Sequence, residues 1–202
     1  MEDKYMIKTL LQIAGVGKKS IDWDNSNLLL IDMQNQYFER ELDLKDRGKE
    51  AVLKAKNVLD FARNRKVNIF HVMHVGSDHS SLFNSTSRDI RIIDELEPMK
   101  GESIITKTIP NSFYKTSLYE LLQLTGKTQL VIMGFTSHMC VTATTIKSFE
   151  LGFDNFVITD CCATRNLPFF DDVIEADLLH KTSMALLGDR YATLVKSEEL
   201  LN

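Results

Sequence analysis

The chain of 202 residues is 44% hydrophobic and 26% charged, with three Pro and nine Gly. Such a chain hides roughly 70% of its unfolded surface as one globular domain, which excludes disorder, collagen-like repeats and low-complexity linkers. Its 24 Lys+Arg against 28 Asp+Glu leave a net charge of -4, so no long-range field draws it to nucleic acid or anionic lipid, and no stretch approaches the roughly 20 apolar residues of a membrane span.

Met6, Ile7, Leu10, Leu11 and Ala14 recur at helical spacing, which predicts a short amphipathic helix over 1–15, closed by Gly15, within an N-terminal helical arm over 1–24. Residues 25–202 are expected to form a single domain. Apolar runs rich in Val, Ile, Leu and Phe predict buried strands over 27–33, 67–74, 103–106, 128–133, 155–159 and 192–195. Helical periodicity predicts helices over 50–64, 117–124, 141–151 and 173–187, with Gly126, Gly152 and Gly188 as stops for the last three. Residues 76–100 lack clear periodicity and predict a long excursion over the sheet edge, of the kind that often carries binding residues. The alternation of strand and helix implies an α/β fold, its mainly parallel sheet covered by helices on both faces.

Three cysteines, two of them adjacent at Cys161 and Cys162, cannot build an even disulfide framework. With no secretory pattern at the start of the chain, they point to a reducing, cytoplasmic setting. Both Cys161 and Cys162 read as packing residues.

Ligands of open α/β sheets bind at the carboxyl ends of the strands, so the residues that close each apolar run are the candidates. Asp32 closes Leu28-Leu29-Leu30-Ile31, Lys107 follows Ile104-Ile105-Thr106, and Cys140 stands where a helix begins after 131–135. Singly, these read as a turn cap, a solvated lysine and a small buried hydrophobe. Jointly, they supply a proton acceptor, a cation and a nucleophile, and a thiol at a helix start meets unpaired N–H groups that favour thiolate. Such a set suits acyl transfer through a thioester.

Leu30-Ile31-Asp32-Met33-Gln34-Asn35-Gln36-Tyr37-Phe38, then Gly101-Glu102 leading to Lys107-Thr108-Ile109-Pro110-Asn111-Ser112-Phe113, then 134–141, 160–165 and 180–192 follow in order. Together they resemble the isochorismatase-like cysteine hydrolases over about 27–195. The resemblance implies a three-layer α/β/α, Rossmann-like fold with a six-stranded parallel sheet, in a homo-oligomer of two or more copies. It implies an Asp32, Lys107 and Cys140 triad, a cis peptide between Phe135 and Thr136, and an oxyanion hole from the amides of Thr136 and Cys140. In that scheme Asp32 takes the thiol proton, Cys140 attacks a carbonyl, and Lys107 keeps Asp32 ionised by lowering its pKa. Tyr37, Phe38, Asn111, Phe113 and Phe135 are the candidates to shape an apolar pocket, with His74 at its mouth.

Isochorismate-cleaving members lack the cysteine, so Cys140 points to amide or ureido C–N bonds of a small molecule. Nicotinamidases of the family carry an Asp-x-His metal pattern that the run from His71 to His79 lacks, and His71 and His74 lie on opposite faces of a strand. No metal and no cofactor is therefore expected. The alternatives are metal-assisted nicotinamidase chemistry and an inactive, oligomeric binding member. His138 reads as a pocket wall rather than a proton acceptor. Gly15-Val16-Gly17-Lys18-Lys19-Ser20 imitates a phosphate loop without its first glycine or its hydroxyl.

Overall fold

A computed structural model describes residues 7–17 and 19–200; residues 1–6 of the predicted arm helix and Lys18 lie outside the described residues. The arm contributes one turn, α1 (Leu10–Ile13), capped by Thr9 and Gln12. Ile7 is 99% and Ile13 68% exposed, so among the described residues this turn has no buried apolar face to rest on. Leu10 N–H donates to Asp189 Oδ1 at 2.7 Å and ties the arm to the body.

The body runs β1 (Ser26–Ile31), α2 (Lys45–Asn64), β2 (Asn68–His74), β3 (Ser103–Lys107), α3 (Leu118–Leu124), β4 (Gln129–Phe135), α4 (Thr142–Glu150), β5 (Asp154–Ala163), β6 (Leu167–Phe169), β7 (Asp172–Ile174), α5 (Ala176–Arg190) and β8 (Thr193–Val195). Six strands form one all-parallel sheet in the order β3-β2-β1-β4-β5-β8. Both of its faces are covered: α2 lies against β2, β4 and β5, while α4 and α5 pack on each other and on β5. This is the expected three-layer α/β/α architecture. The continuous apolar run Leu28 to Ile31 is buried because a central parallel strand has no solvent face.

Two features differ from the sequence expectation. Residues 172–174 pair antiparallel with 167–169 in a small hairpin, and α5 starts at Ala176 rather than 173. Gly188 lies inside α5; a Cβ there would meet Leu194 Cδ1 at 2.7 Å, so the glycine serves close approach to β8 rather than a stop. Gly126 does end its helix, at φ +68°.

The chain builds outward from β1 to β2 and β3, then returns to β4 and builds the other way. The reversal opens a crevice between the carboxyl ends of β1 and β4, the place where ligands enter such sheets. Close approach of these two strands requires Gly134, whose φ is +135° and whose added Cβ would lie 2.1 Å from Ile31 O.

Candidate active site

Three elements converge on the crevice. Asp32 follows β1 with φ +51°, which Asp tolerates better than most residues. Lys107 ends β3, two strands and so about 10 Å away, and its long side chain crosses β2 to reach Asp32. Its Nζ stands 2.7 Å from Asp32 Oδ2, and both side chains are 0% exposed. The same ammonium donates to Cys140 Sγ at 3.3 Å, to Ile109 O at 3.2 Å and to His74 Nδ1 at 3.3 Å. Cys140 lies in a π-helical turn, Ser137–Val141, that leads directly into α4; such turns recur at functional sites.

The Asp32–Lys107 pair is close but poorly directed for hydrogen bonding, and neither carboxylate oxygen has a well-directed donor. Burial is the largest influence on Asp32 and raises its pKa against the opposing Lys107 charge. Desolvation thus outweighs the lowering expected from the lysine. Burial, reinforced by the Asp32 charge, also pushes the Cys140 thiol up to about 12. The helix-start argument for a thiolate fails here because Cys140 itself is buried, only 4% exposed. The resting crevice therefore holds a thiol, a carboxylate of raised basicity and an ammonium.

The Phe135–Thr136 peptide is cis. The Thr136 N–H has no acceptor among the described residues, while Thr136 O accepts from Met139 and Val141. Aromatic rings wall the crevice. Tyr37 and Phe38 meet Phe135 edge-on at 5.7 and 6.3 Å, and Phe83 lies 5.4 Å from Tyr37 and 4.6 Å from His74. Asn111 and Phe113 follow Lys107 by four and six residues. The Asn111 carboxamide oxygen accepts from Phe113 N–H, and Phe113 packs against the apolar core.

Residues 76–100 do not run over the sheet edge; they fold back along the exit of β1, with Asn35 N–H to Arg91 O at 3.0 Å and Ile93 N–H to Met33 O at 3.0 Å. Gln34, fully buried, fastens this layer. Its Nε2 donates to His74 O and Ile90 O, and its Oε1 accepts from His74 N–H. Gln34 and Phe83 are the positioning residues that sequence reasoning missed, although Gln34 stood within the quoted motif. Arg165 is a further omission. Its charge acts on Tyr37 and His138, it pairs with no carboxylate among the described residues, and it lines a 460 Å³ cavity with Leu44 and Thr164.

A family model described as the isochorismatase domain matches residues 26–199. The chain belongs to the isochorismatase family. Isochorismatase family protein YddQ of Bacillus subtilis is 34% identical over 86% of this chain and 97% of its own length. Secreted isochorismatase effector Isc1 of Verticillium dahliae is 31% identical over 93% and 96%. The crystal structure of an isochorismatase from Pseudomonas putida superposes with a TM-score of 0.91 at 31% identity, covering 96% of this chain and 99% of that one. More distant family members include streptothricin hydrolase of Streptomyces noursei, 29% identical over 80% of this chain and 59% of its own length, and Nicotinamidase 3 of Arabidopsis thaliana, 26% identical over 86% and 85%.

The metal pattern of the family's nicotinamidases does not fit these residues. His71 is buried and bonded to Glu102 at 2.8 Å, which Arg63 also holds. Asp78 and His79 stand 60% and 91% exposed outside the crevice. His138 Nδ1 is engaged by the Thr164 hydroxyl, and Cys161 and Cys162 are buried, with burial raising both thiols. Among the described residues no helix is long and apolar enough to cross a membrane.

Proposed function

We propose that this family member is a cysteine hydrolase that cleaves an amide-type or ureido-type C–N bond of a small molecule through a thioester. The observation that carries the reading is one buried ammonium, Lys107 Nζ, in contact with both Asp32 and Cys140 at the crevice between β1 and β4. Asp32 takes the thiol proton as Cys140 Sγ attacks the carbonyl carbon. The raised basicity of Asp32 makes that transfer less uphill from so weak an acid. The oxyanion rests on the amides of Thr136 and Cys140, and Asp32 hands its proton to the departing nitrogen. Water, giving its proton to Asp32, then cleaves the thioester and restores the thiol. Lys107 holds the two anionic centres together throughout. His74, Tyr37, Phe38 and Phe135 wall the substrate.

The same reading takes the protein as cytoplasmic, on the strength of three free thiols, and as a homo-oligomer. The hairpin side chains Phe169, Phe170 and Val173, 58%, 92% and 51% exposed, offer an apolar contact.

The test is ammonia release from a panel of small amides and ureido acids, with an acid quench and peptide mass analysis for an acyl adduct on Cys140. Wild type turns over and carries the adduct; Cys140→Ala does neither. Full activity in Cys140→Ala would sink the mechanism. A silent panel, together with Cys140 no more reactive than Cys161, favours the inactive binding protein, a reading the 4% exposure of Cys140 supports.

A further inference from the structure

Asp32, His74 and Cys140 offer one oxygen, one nitrogen and one sulfur, all within 4.8 Å of one another. We propose that these three form a latent site for a thiophilic divalent cation, such as Zn²⁺, whose place is held in the native protein by the ammonium of Lys107. The inference concerns metal binding and does not depend on turnover.

Carboxylate, imidazole and thiolate are the zinc ligand types. Zinc–ligand distances near 2.0–2.3 Å put tetrahedral ligands about 3.5 Å apart, so closure asks for an inward movement of about 1 Å. The centre is already cationic. Lys107 Nζ lies 2.7 Å from Asp32 Oδ2 and 3.3 Å from both His74 Nδ1 and Cys140 Sγ. No second cation can enter while it stays, because it fills the space and repels.

An ammonium only donates, so His74 Nδ1 is the acceptor and the ring proton sits on Nε2. The metal-binding lone pair is thus already aimed inward. Gln34 grips both backbone groups of His74 and so fixes where its ring starts from. Removing the lysine leaves a fully buried carboxylate without a countercharge, and that carboxylate gains most from a replacement cation.

The experiment is Co²⁺ titration followed by absorption, where a thiolate-to-metal charge-transfer band reports Cys140 as a ligand. Wild type, Lys107→Ala and Lys107→Ala/His74→Ala are compared. Lys107→Ala is expected to bind one equivalent with the band, at least about 100-fold more tightly than wild type. Loss of His74 should weaken that binding about 10-fold or more. If Lys107→Ala does not fold without metal, recovery of its circular dichroism on refolding with Zn²⁺, but not in the double variant, supports the proposal equally. Equal binding by wild type and Lys107→Ala, a band indifferent to His74, or no binding and no rescue in either Lys107→Ala or Lys107→Gln overturns it.

Discussion

Replacing Lys107 with Met, which keeps much of the length and removes the charge, isolates the worth of the buried ion pair. Both partners are 0% exposed and 2.7 Å apart, so the change strands the Asp32 carboxylate away from water, at a cost of about 3–5 kcal/mol. That is a large share of the roughly 5–15 kcal/mol that holds a domain together. The cost depends on pH. Asp32 is already raised by burial with Lys107 pulling the other way, and losing Lys107 raises it further. A group whose folded pKa lies above its unfolded value favours folding most below the unfolded pKa, about 3.9 for Asp. Stability of the variant therefore falls as pH rises, by about 1.36 kcal/mol per unit, and levels off above the folded pKa. A penalty of this size spreads the fall over about two to four pH units. Urea unfolding followed by circular dichroism between acid and mildly alkaline pH measures it directly. Asp32→Asn/Lys107→Met should recover most of the loss and be flat over that range. A loss under about 1 kcal/mol, or one that ignores pH, would refute the assignment of a charged buried pair.

Alkylation of Cys140 should keep accelerating up to the alkaline limit of folding, since its thiol is pushed up to about 12; a plateau near pH 7, followed by peptide mapping, would contradict a buried, protonated resting thiol. Gly134→Ala should cost about 3–5 kcal/mol or prevent folding, because the new methyl lands 2.1 Å from Ile31 O at φ +135°; near-wild-type urea stability would mean β1 and β4 part easily. Gln34→Ala leaves part-buried backbone groups of His74 and Ile90 without their partner and should cost about 1–3 kcal/mol. Hydrogen exchange over 76–93 should rise in the same variant, and unchanged exchange there would deny Gln34 its fastening role.

Asp32 and Lys107 were legible because each closes an apolar run at its carboxyl end, and Cys140 because it stands at the helix start that follows another such run. Their contact was legible only through the family resemblance, since it follows from strand order: with β2 lying between β3 and β1 the Lys107 side chain spans the gap to Asp32. Gln34 and Phe83 escaped for a related reason. One works through backbone atoms of His74 and Ile90, and the other sits in a non-periodic loop at φ +52°. The start of α5 was misread because Val173 and Ile174 continue its apolar spacing by coincidence of the hairpin. The pKa directions of Asp32 and Cys140 were misjudged because position in the chain reveals neighbours and dipoles but not depth.

The crevice draws unequally on the sheet. Asp32 and Cys140 follow β1 and β4, which pair on both sides, whereas Lys107 ends β3, an edge strand paired to β2 alone. Fraying an edge strand breaks one ladder where fraying a central one breaks two, so among the three strands that lead to the triad, β3, the one that carries the ammonium, has the fewest ladders to break. Amide protection along β3, rather than along the strands bearing the acid and the thiol, is thus the gauge of how long the crevice stays intact between excursions.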